Sequence, residues 1–290
     1  MRRMIAGLLG VLHAANGVFM LTDARGWLSF VTGRAIEGEL PGQHFIYDVG
    51  LAFIASALGF LLFAMRPNLW AAGAIGAFAV SFLNGRLYIP SPPQWLTEFA
   101  FANGKAYVYY DPFPSVFLLP FAAIWGLEVN IAHVSIAVGA VNVGLMRILL
   151  GGLGVARRTA NWCAILFAFG TVHLFAAQYG NTWLLAHLLA VAALTLAWLE
   201  ALGSANPLVL GVLTACAATS RSPALLGFPV FLVLALRRRP SVATAVQFFL
   251  PLGATALLLG LYNFARFGDW FNNGYLLANQ ALLHPEFGSF

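Results

Sequence analysis

Residues 241–262, SVATAVQFFLPLGATALLLGLY, form an apolar run without a charged side chain. A run of this length matches the ~20 residues that an α-helix needs to cross the hydrocarbon core of a bilayer. The whole chain has the same character, since 61% of its 290 residues are hydrophobic and only 9% are charged. A soluble domain carries about 25% charged residues. We therefore expect an integral membrane protein whose architecture is set by the bilayer.

Other apolar segments accompany this run, at residues 4–22, 48–65, 69–83, 114–126, 130–149, 160–176, 182–200, 207–220 and 222–236. The 114–126 segment is short and contains Pro120, so it is interpreted as an interfacial or re-entrant piece rather than a span. The remaining segments predict an all-α, polytopic membrane protein with about nine transmembrane helices and outward-facing loops.

The basic residues indicate how the helices are oriented. The tight arginine clusters at 157–158 and 237–239 lie in short connections, where the positive-inside rule has most force. Placing both clusters in the cytoplasm also places the N-terminus there. This orienting role explains the net charge of +5 and gives no indication of a nucleic acid partner. The long segments that then face outward are 23–47, 84–113 and 263–290.

The outward segment 84–113 contains the candidate chemistry. Asn103-Gly104 predicts a tight turn, and the AYVYY stretch after it alternates like an extended strand. Glu98 lies in LTEFAF, an apolar setting typical of a short amphipathic segment at a membrane surface. A carboxylate there is either a base, a metal ligand or an ordinary solvated loop acid. Asp111 precedes Pro112 and is either a second site carboxylate or a turn former.

Residues 84–89, NGRLYI, and 96–126, LTEFAFANGKAYVYYDPFPSVFLLPFAAIWG, together resemble the first extracytoplasmic loop of the GT-C superfamily of membrane glycosyltransferases. The similarity is to relatives of the dolichyl-phosphate-mannose-protein mannosyltransferases, the family 39 type. Further matching stretches follow in the family's order: FGTVHLFAAQYGNTWLLAHLLAVAALTLAWLEAL, TSRSPALLGFPVFLVLALRR and YNFARFGDWFNNGY. The resemblance covers residues 69–290, which we expect to be a transmembrane glycosyltransferase domain.

The resemblance implies transfer of a sugar from a polyprenyl-phosphate donor to an acceptor outside the cytoplasm of a bacterium, at its plasma membrane. The acceptor is left open as a lipid, a polysaccharide or a protein. Glu98 matches the family's acidic residue at the membrane edge, and Asp111 is the second catalytic candidate. The family's second acid near this position is missing, because Gln94-Trp95 precedes Glu98. A divalent metal is left open as a cofactor, without a named ligand set.

A phosphate at a bilayer surface needs paired donors. Arg221 and Arg266 lie at predicted outer helix ends and are candidates for that role, although snorkelling to the headgroups is an equal explanation for Arg221. Lys105 is a weaker candidate. A histidine inside an apolar helix is either a ligand or a partner in an interhelical hydrogen bond. The remaining expected substrate-binding residues are Tyr107, His187 and Asn181.

Other interpretations stay open from the sequence alone. The chain ends in HPEFGSF, which resembles mid-loop sequence, so we expect a partial glycosyltransferase. Residues 1–68 are expected to form a separate two-helix segment that resembles a small bacterial membrane protein of unassigned function. A non-catalytic membrane subunit or an inactive remnant is the main alternative to an enzyme. A transporter of a lipid-linked substrate is disfavoured, because no internal repeat is found.

Overall fold

The computed structural model describes residues 2–32, 73–90 and 98–275, together with Leu277. This part of the chain is mostly helical, as predicted. The helices are α1 (Arg2–Thr22), α2 (Ala24–Thr32), α3 (Ala74–Leu83), α4 (Phe113–Trp125), α5 (Ile131–Gly152), α6 (Arg157–Phe169), α7 (Val172–Tyr179), α8 (Thr182–Leu202), α9 (Pro207–Ser220), α10 (Phe228–Arg238) and α11 (Val242–Phe267). Short 3₁₀ turns at Gly126–Glu128 and Ser222–Gly227 follow α4 and α9.

Three of the described helices, α5, α8 and α11, are long and apolar enough to cross a membrane. A fourth span results if α6 and α7, which meet at a bend of 51°, act as one broken span. The expected count of about nine spans is therefore not supported. The physical reason is helix length, because α3, α4 and α9 have 10 to 17 residues and are shorter than a bilayer requires. The predicted helix at 48–65 lies outside the described residues.

The described part of segment 84–113 contains the predicted turn and strand. Strands β1 (Phe99–Ala102) and β2 (Lys105–Val108) pair antiparallel, with Phe99 opposite Val108 and Ala102 opposite Lys105. The turn residues Asn103 and Gly104 have φ angles of 53° and 70°, the combination that a two-residue type I′ hairpin requires. The stretch after Glu98 is thus a strand rather than an amphipathic segment lying on a membrane. Helix α4 is a short element containing Pro120, as the sequence indicated.

The chain divides into two compact units: Met1–Trp70 with Ala132–Gly180, and Ala71–Ile131 with Asn181–Phe290. The predicted boundary between residues 68 and 69 lies outside the described residues.

In the first unit α5 and α7 approach closely, because a Cβ at Gly139 would stand 2.7 Å from the Cβ of Ala177. The His173 ring nitrogen Nε2 lies 3.1 Å from the carbonyl oxygen of Gly139 at the same contact. His173 therefore makes an interhelical hydrogen bond.

The core of the second unit is built from small side chains. Alanines of α8, of α10 and of the connection between α8 and α9 pack with one leucine of α9 around two large rings, in a cluster of Ala197, Ala201, Ala205, Leu210, Phe231, Ala235 and Phe248. Lipid provides little hydrophobic driving force between helices, so membrane helices gain stability from close packing of small residues. Gly211 allows the closest approach, since a Cβ there would collide with the backbone oxygen of Phe248 on α11.

Helices α9, α10 and α11 alternate in direction, which determines the residues that lie at each end of this bundle. Helix α9 ends at Ser220, and α10 runs back from Phe228 to the arginine cluster at its C-terminal end. Helix α11 then returns over 26 residues to Phe267. Arg221 and Arg266 consequently lie at one end of the bundle, and residues 237–239 lie at the other.

Replacing Gly211 with valine should lower the free energy of unfolding by about 3 kcal/mol, the upper range for overpacking. The reason is that the new side chain must push α11 away from α9. The matched control is Gly253→Val on α11, because a Cβ at Gly253 has no neighbour within 4 Å. Thermal unfolding of the purified protein in detergent measures both variants. Equal midpoints for Gly211→Val and the native chain would contradict the close α9–α11 contact.

Candidate functional site

An elongated cavity of about 920 Å³ lies in the second unit. Helix α11 lines it from Phe249 to Arg266, a stretch roughly 25 Å long at 1.5 Å per residue. We call this cavity the α11 groove. Its apolar part is lined by residues that include Phe228, Phe249, Leu252 and Ala256. Its polar end is lined by Tyr109, Tyr110, Asp111, Ser222, Asn263 and Asn273.

Within the described residues, Asp111 is the one carboxylate that lines this groove. Its Oδ2 atom accepts hydrogen bonds from the backbone N–H of Ser222 at 3.1 Å and from the Ser222 hydroxyl at 2.9 Å. These bonds tie the loop before α4 to the turn after α9, 111 residues away along the chain. Burial raises the pKa of Asp111, and the Ser222 bonds and the Arg221 charge partly offset that rise. Asp111 therefore holds a proton more readily than an exposed aspartate does.

Arg221 supplies the positive charge beside Asp111. It ends α9 in an extended conformation, with φ −147° and ψ 109°, which turns its side chain out of the helical path. Its guanidinium carbon lies 5.1 Å from the centre of the Trp183 ring, within the range of a cation–π contact. Its Nε atom is buried and has no hydrogen-bond partner in the described part of the chain. Arg221 thus keeps a donor that no described group satisfies, next to Ser222 on the groove wall.

His187 lies one helical turn after Trp183 on α8. The two rings meet edge to face with their centres 4.6 Å apart. Its Nε2 atom is buried and, among the residues that the structure describes, has no hydrogen-bond partner. Trp183 therefore contacts both His187 and Arg221. Asn181, also predicted to bind substrate, instead caps α8, because its side-chain oxygen accepts the Leu184 N–H at 2.7 Å.

Glu98 does not line the groove, but it contacts Tyr110, which does. Its Oε1 atom accepts a long hydrogen bond of 3.4 Å from the Tyr110 hydroxyl, which lies 3.5 Å from the Tyr109 hydroxyl. Burial raises the pKa of Tyr110, and the contacts with Tyr109 and Glu98 raise it further. Tyr110 consequently stays protonated and acts as a donor. Glu98 does not line the groove and contacts it through this hydroxyl.

Arg266 has a different environment from Arg221, although both are predicted from the sequence to bind phosphate. Its side chain is 5% exposed and donates from Nη1 to the carbonyl oxygen of Val108 at 2.8 Å. From Nη2 it donates to Asn263 at 2.7 Å. The guanidinium also lies 3.7 Å from the centre of the Tyr262 ring. Arg266 therefore fastens the end of α11 to strand β2, while still lining the groove.

Two other predicted residues lie away from the groove. Tyr107 is buried and packs edge to face against Phe267, with ring centres 5.1 Å apart. Lys105 is exposed at the hairpin, with its ammonium 4.6 Å from the centre of the Tyr88 ring. In this structure both side chains contribute to the packing of the hairpin.

The sequence interpretation missed Ser222 and Tyr275 as neighbours of the site. Ser222 follows Arg221 directly, and a serine beside a candidate arginine could have been noted as a second donor. The Tyr275 ring packs edge to face on Tyr109 at 5.0 Å, and no local pattern predicts that contact across the fold. Within the described ranges, no three His, Cys, Asp or Glu side chains are grouped so that they could hold a metal ion.

Comparisons with known proteins give no relative, because no family model, curated protein or solved structure matches this chain.

Replacing Arg266 with methionine should lower the free energy of unfolding by about 2 kcal/mol, because it leaves the buried Val108 carbonyl without its donor. Lys105→Met, which removes an exposed cation from the same region, should cost less than about 1 kcal/mol. Thermal unfolding in detergent compares the two variants. Equal shifts would show that the Arg266 contacts do not fasten α11 to the hairpin.

Proposed function

We propose that this protein is a membrane glycosyltransferase that moves a sugar from a polyprenyl-phosphate donor to an acceptor hydroxyl on the extracytoplasmic face. The observation that carries the proposal is the α11 groove, which is apolar along a membrane-length helix and polar at one end. A polyprenyl-phosphate sugar has the same two-part chemistry. Its hydrocarbon chain matches the apolar lining, and its phosphate matches the neighbouring Arg221.

The proposed reaction is an inverting displacement. The acceptor oxygen forms a bond to the anomeric carbon while the bond from that carbon to the phosphate oxygen breaks. The acceptor proton passes to the Asp111 carboxylate. The electron pair of the broken bond stays on the lipid phosphate, whose charge Arg221 offsets. This assignment gives the basic role to Asp111, and Glu98, which the sequence favoured, orients Tyr110.

The proposed location is the plasma membrane of a bacterium, with the N-terminus in the cytoplasm. The separation of charge within the second unit supports this orientation. The cluster at 237–239 and the groove's polar end lie at opposite ends of α10 and α11. Under the positive-inside rule the cluster is cytoplasmic, and the groove then opens on the outer side.

Asp111→Asn should reduce sugar transfer by about 100-fold or more, the usual loss when a general base is removed. Asparagine keeps an oxygen that can accept the Ser222 hydrogen bonds, so the loss reports the charge rather than the fold. The assay follows a labelled sugar from polyprenyl-phosphate carriers to endogenous acceptors, in membranes with equal amounts of each variant.

The controls are Glu98→Gln and Glu128→Gln. Glu98→Gln should reduce transfer by about tenfold, since it weakens only the orientation of Tyr110. Glu128 is exposed in the turn after α4, and its replacement should leave transfer unchanged. Native-level transfer by Asp111→Asn would refute the base assignment. Absence of transfer from the native chain would favour the non-catalytic subunit.

The pH dependence of transfer tests the environment of Asp111 directly. The base must be ionised, so transfer should fall as the pH drops through the raised pKa of Asp111. Ser222→Ala removes a hydrogen bond that favours the charged carboxylate, and the acid limb of the profile should therefore move to higher pH. An acid limb at the same pH in both proteins would exclude Asp111 as the titrating group.

A further inference from the structure

A second cavity, of about 450 Å³, lies in the same unit as the α11 groove. We call it the α4 cavity, because α4 lines it with Phe113, Val116 and Leu119. Helices α3, α9 and α11 complete its lining with residues that include Phe78, Phe82, Val212, Cys216 and Leu258. Both cavities have volumes within the ~300–1,000 Å³ typical of ligand sites.

The two cavities share a wall and meet beside the proposed base. The residues that line both are Pro112, Ala215, Thr219, Thr255, Leu259 and Tyr262. Pro112 directly follows Asp111, so the α4 cavity reaches the position next to the carboxylate. If each cavity held one ligand, the ends of the two ligands would meet beside Asp111.

The charges of the two linings differ. Asp111 and Arg266 line the α11 groove, and Arg221 adjoins it through Ser222. The described lining of the α4 cavity carries no charged side chain, and its polar groups are the hydroxyls of Ser115, Thr219, Thr255 and Tyr262 together with the Cys216 thiol. Charge at a ligand's end would be poorly accommodated there, because buried charge needs a partner. The α4 cavity therefore suits a hydrocarbon chain that ends in a neutral group.

We propose that the α4 cavity binds the hydrocarbon chain of a second lipid, and that this lipid is the acceptor. Its reacting group is an uncharged hydroxyl, presented to Asp111 past Pro112. The inference rests on the proposed glycosyl transfer and narrows it, since the acceptor becomes a membrane lipid alcohol rather than a polysaccharide or a protein. The donor lipid, with its phosphate, occupies the α11 groove at the same time.

A matched pair of tryptophan substitutions tests ligand binding to each cavity separately. Val116 lines only the α4 cavity, and Ala256 lines only the α11 groove. Both side chains are exposed, so tryptophan can be accommodated at either position without displacing the core. Unchanged thermal unfolding in detergent checks that each variant is folded.

The measurement is equilibrium binding of two fluorescent probes to the protein in lipid nanodiscs. One probe is a pyrene-labelled long-chain primary alcohol, and the other is a pyrene-labelled polyprenyl phosphate. Val116→Trp should weaken binding of the alcohol by about tenfold, which corresponds to losing the burial of roughly two methylene groups. It should leave binding of the polyprenyl phosphate unchanged, and Ala256→Trp should have the reverse effect.

Saturating unlabelled polyprenyl phosphate should not displace the alcohol, because the two sites are separate. Equal weakening of both probes by Val116→Trp would overturn the proposal in favour of one lipid that occupies both cavities. If Val116→Trp left the binding of the alcohol unchanged, that result would also overturn the proposal. Binding needs no chemistry, so this result is independent of whether sugar transfer itself is detected.

Discussion

The close approach of α9 to α11 is the contact on which the rest of the second unit depends. It is possible because Gly211 presents no side chain toward the Phe248 backbone. These two helices form one wall of both cavities. The same pair places Arg221 at the end of one helix and Arg266 at the end of the other. Helix packing therefore determines both where a lipid chain can lie and where positive charge is available.

Hydrogen bonds hold the polar groups at the end of the α11 groove in place. Asp111 is fixed by Ser222, and Arg266 is fixed by Val108 and Asn263. Such bonds are necessary because an unsatisfied polar group near the apolar region costs free energy. Arg221, His187 and Arg266 each keep a buried nitrogen without a partner in the described chain. Arg266 differs from Arg221 and His187 because two of its other nitrogens, Nη1 and Nη2, donate to Val108 and Asn263.

The sequence predicted much of the local structure, because local structure has local causes. Asn103-Gly104 indicates a type I′ turn on its own, and the helical character follows from composition. The described residues do not support nine spans, because hydropathy detects an apolar run but not the backbone breaks, such as the turn after α9, that shorten its helix. Asp111 could not be ranked above Glu98, since its contact with Ser222 joins residues far apart in the chain. The different environments of Arg221 and Arg266 have the same cause.

The hairpin turn has a practical consequence for work on the intact cell. Asn103 and Gly104 are exposed, and a side chain at Gly104 would meet no atom within 4 Å. Exposed loop tips of this kind tolerate inserted sequence. A short epitope placed between the two residues would project away from the folded chain. Its accessibility to antibody before and after permeabilising the cell would then report directly which side of the membrane the hairpin occupies.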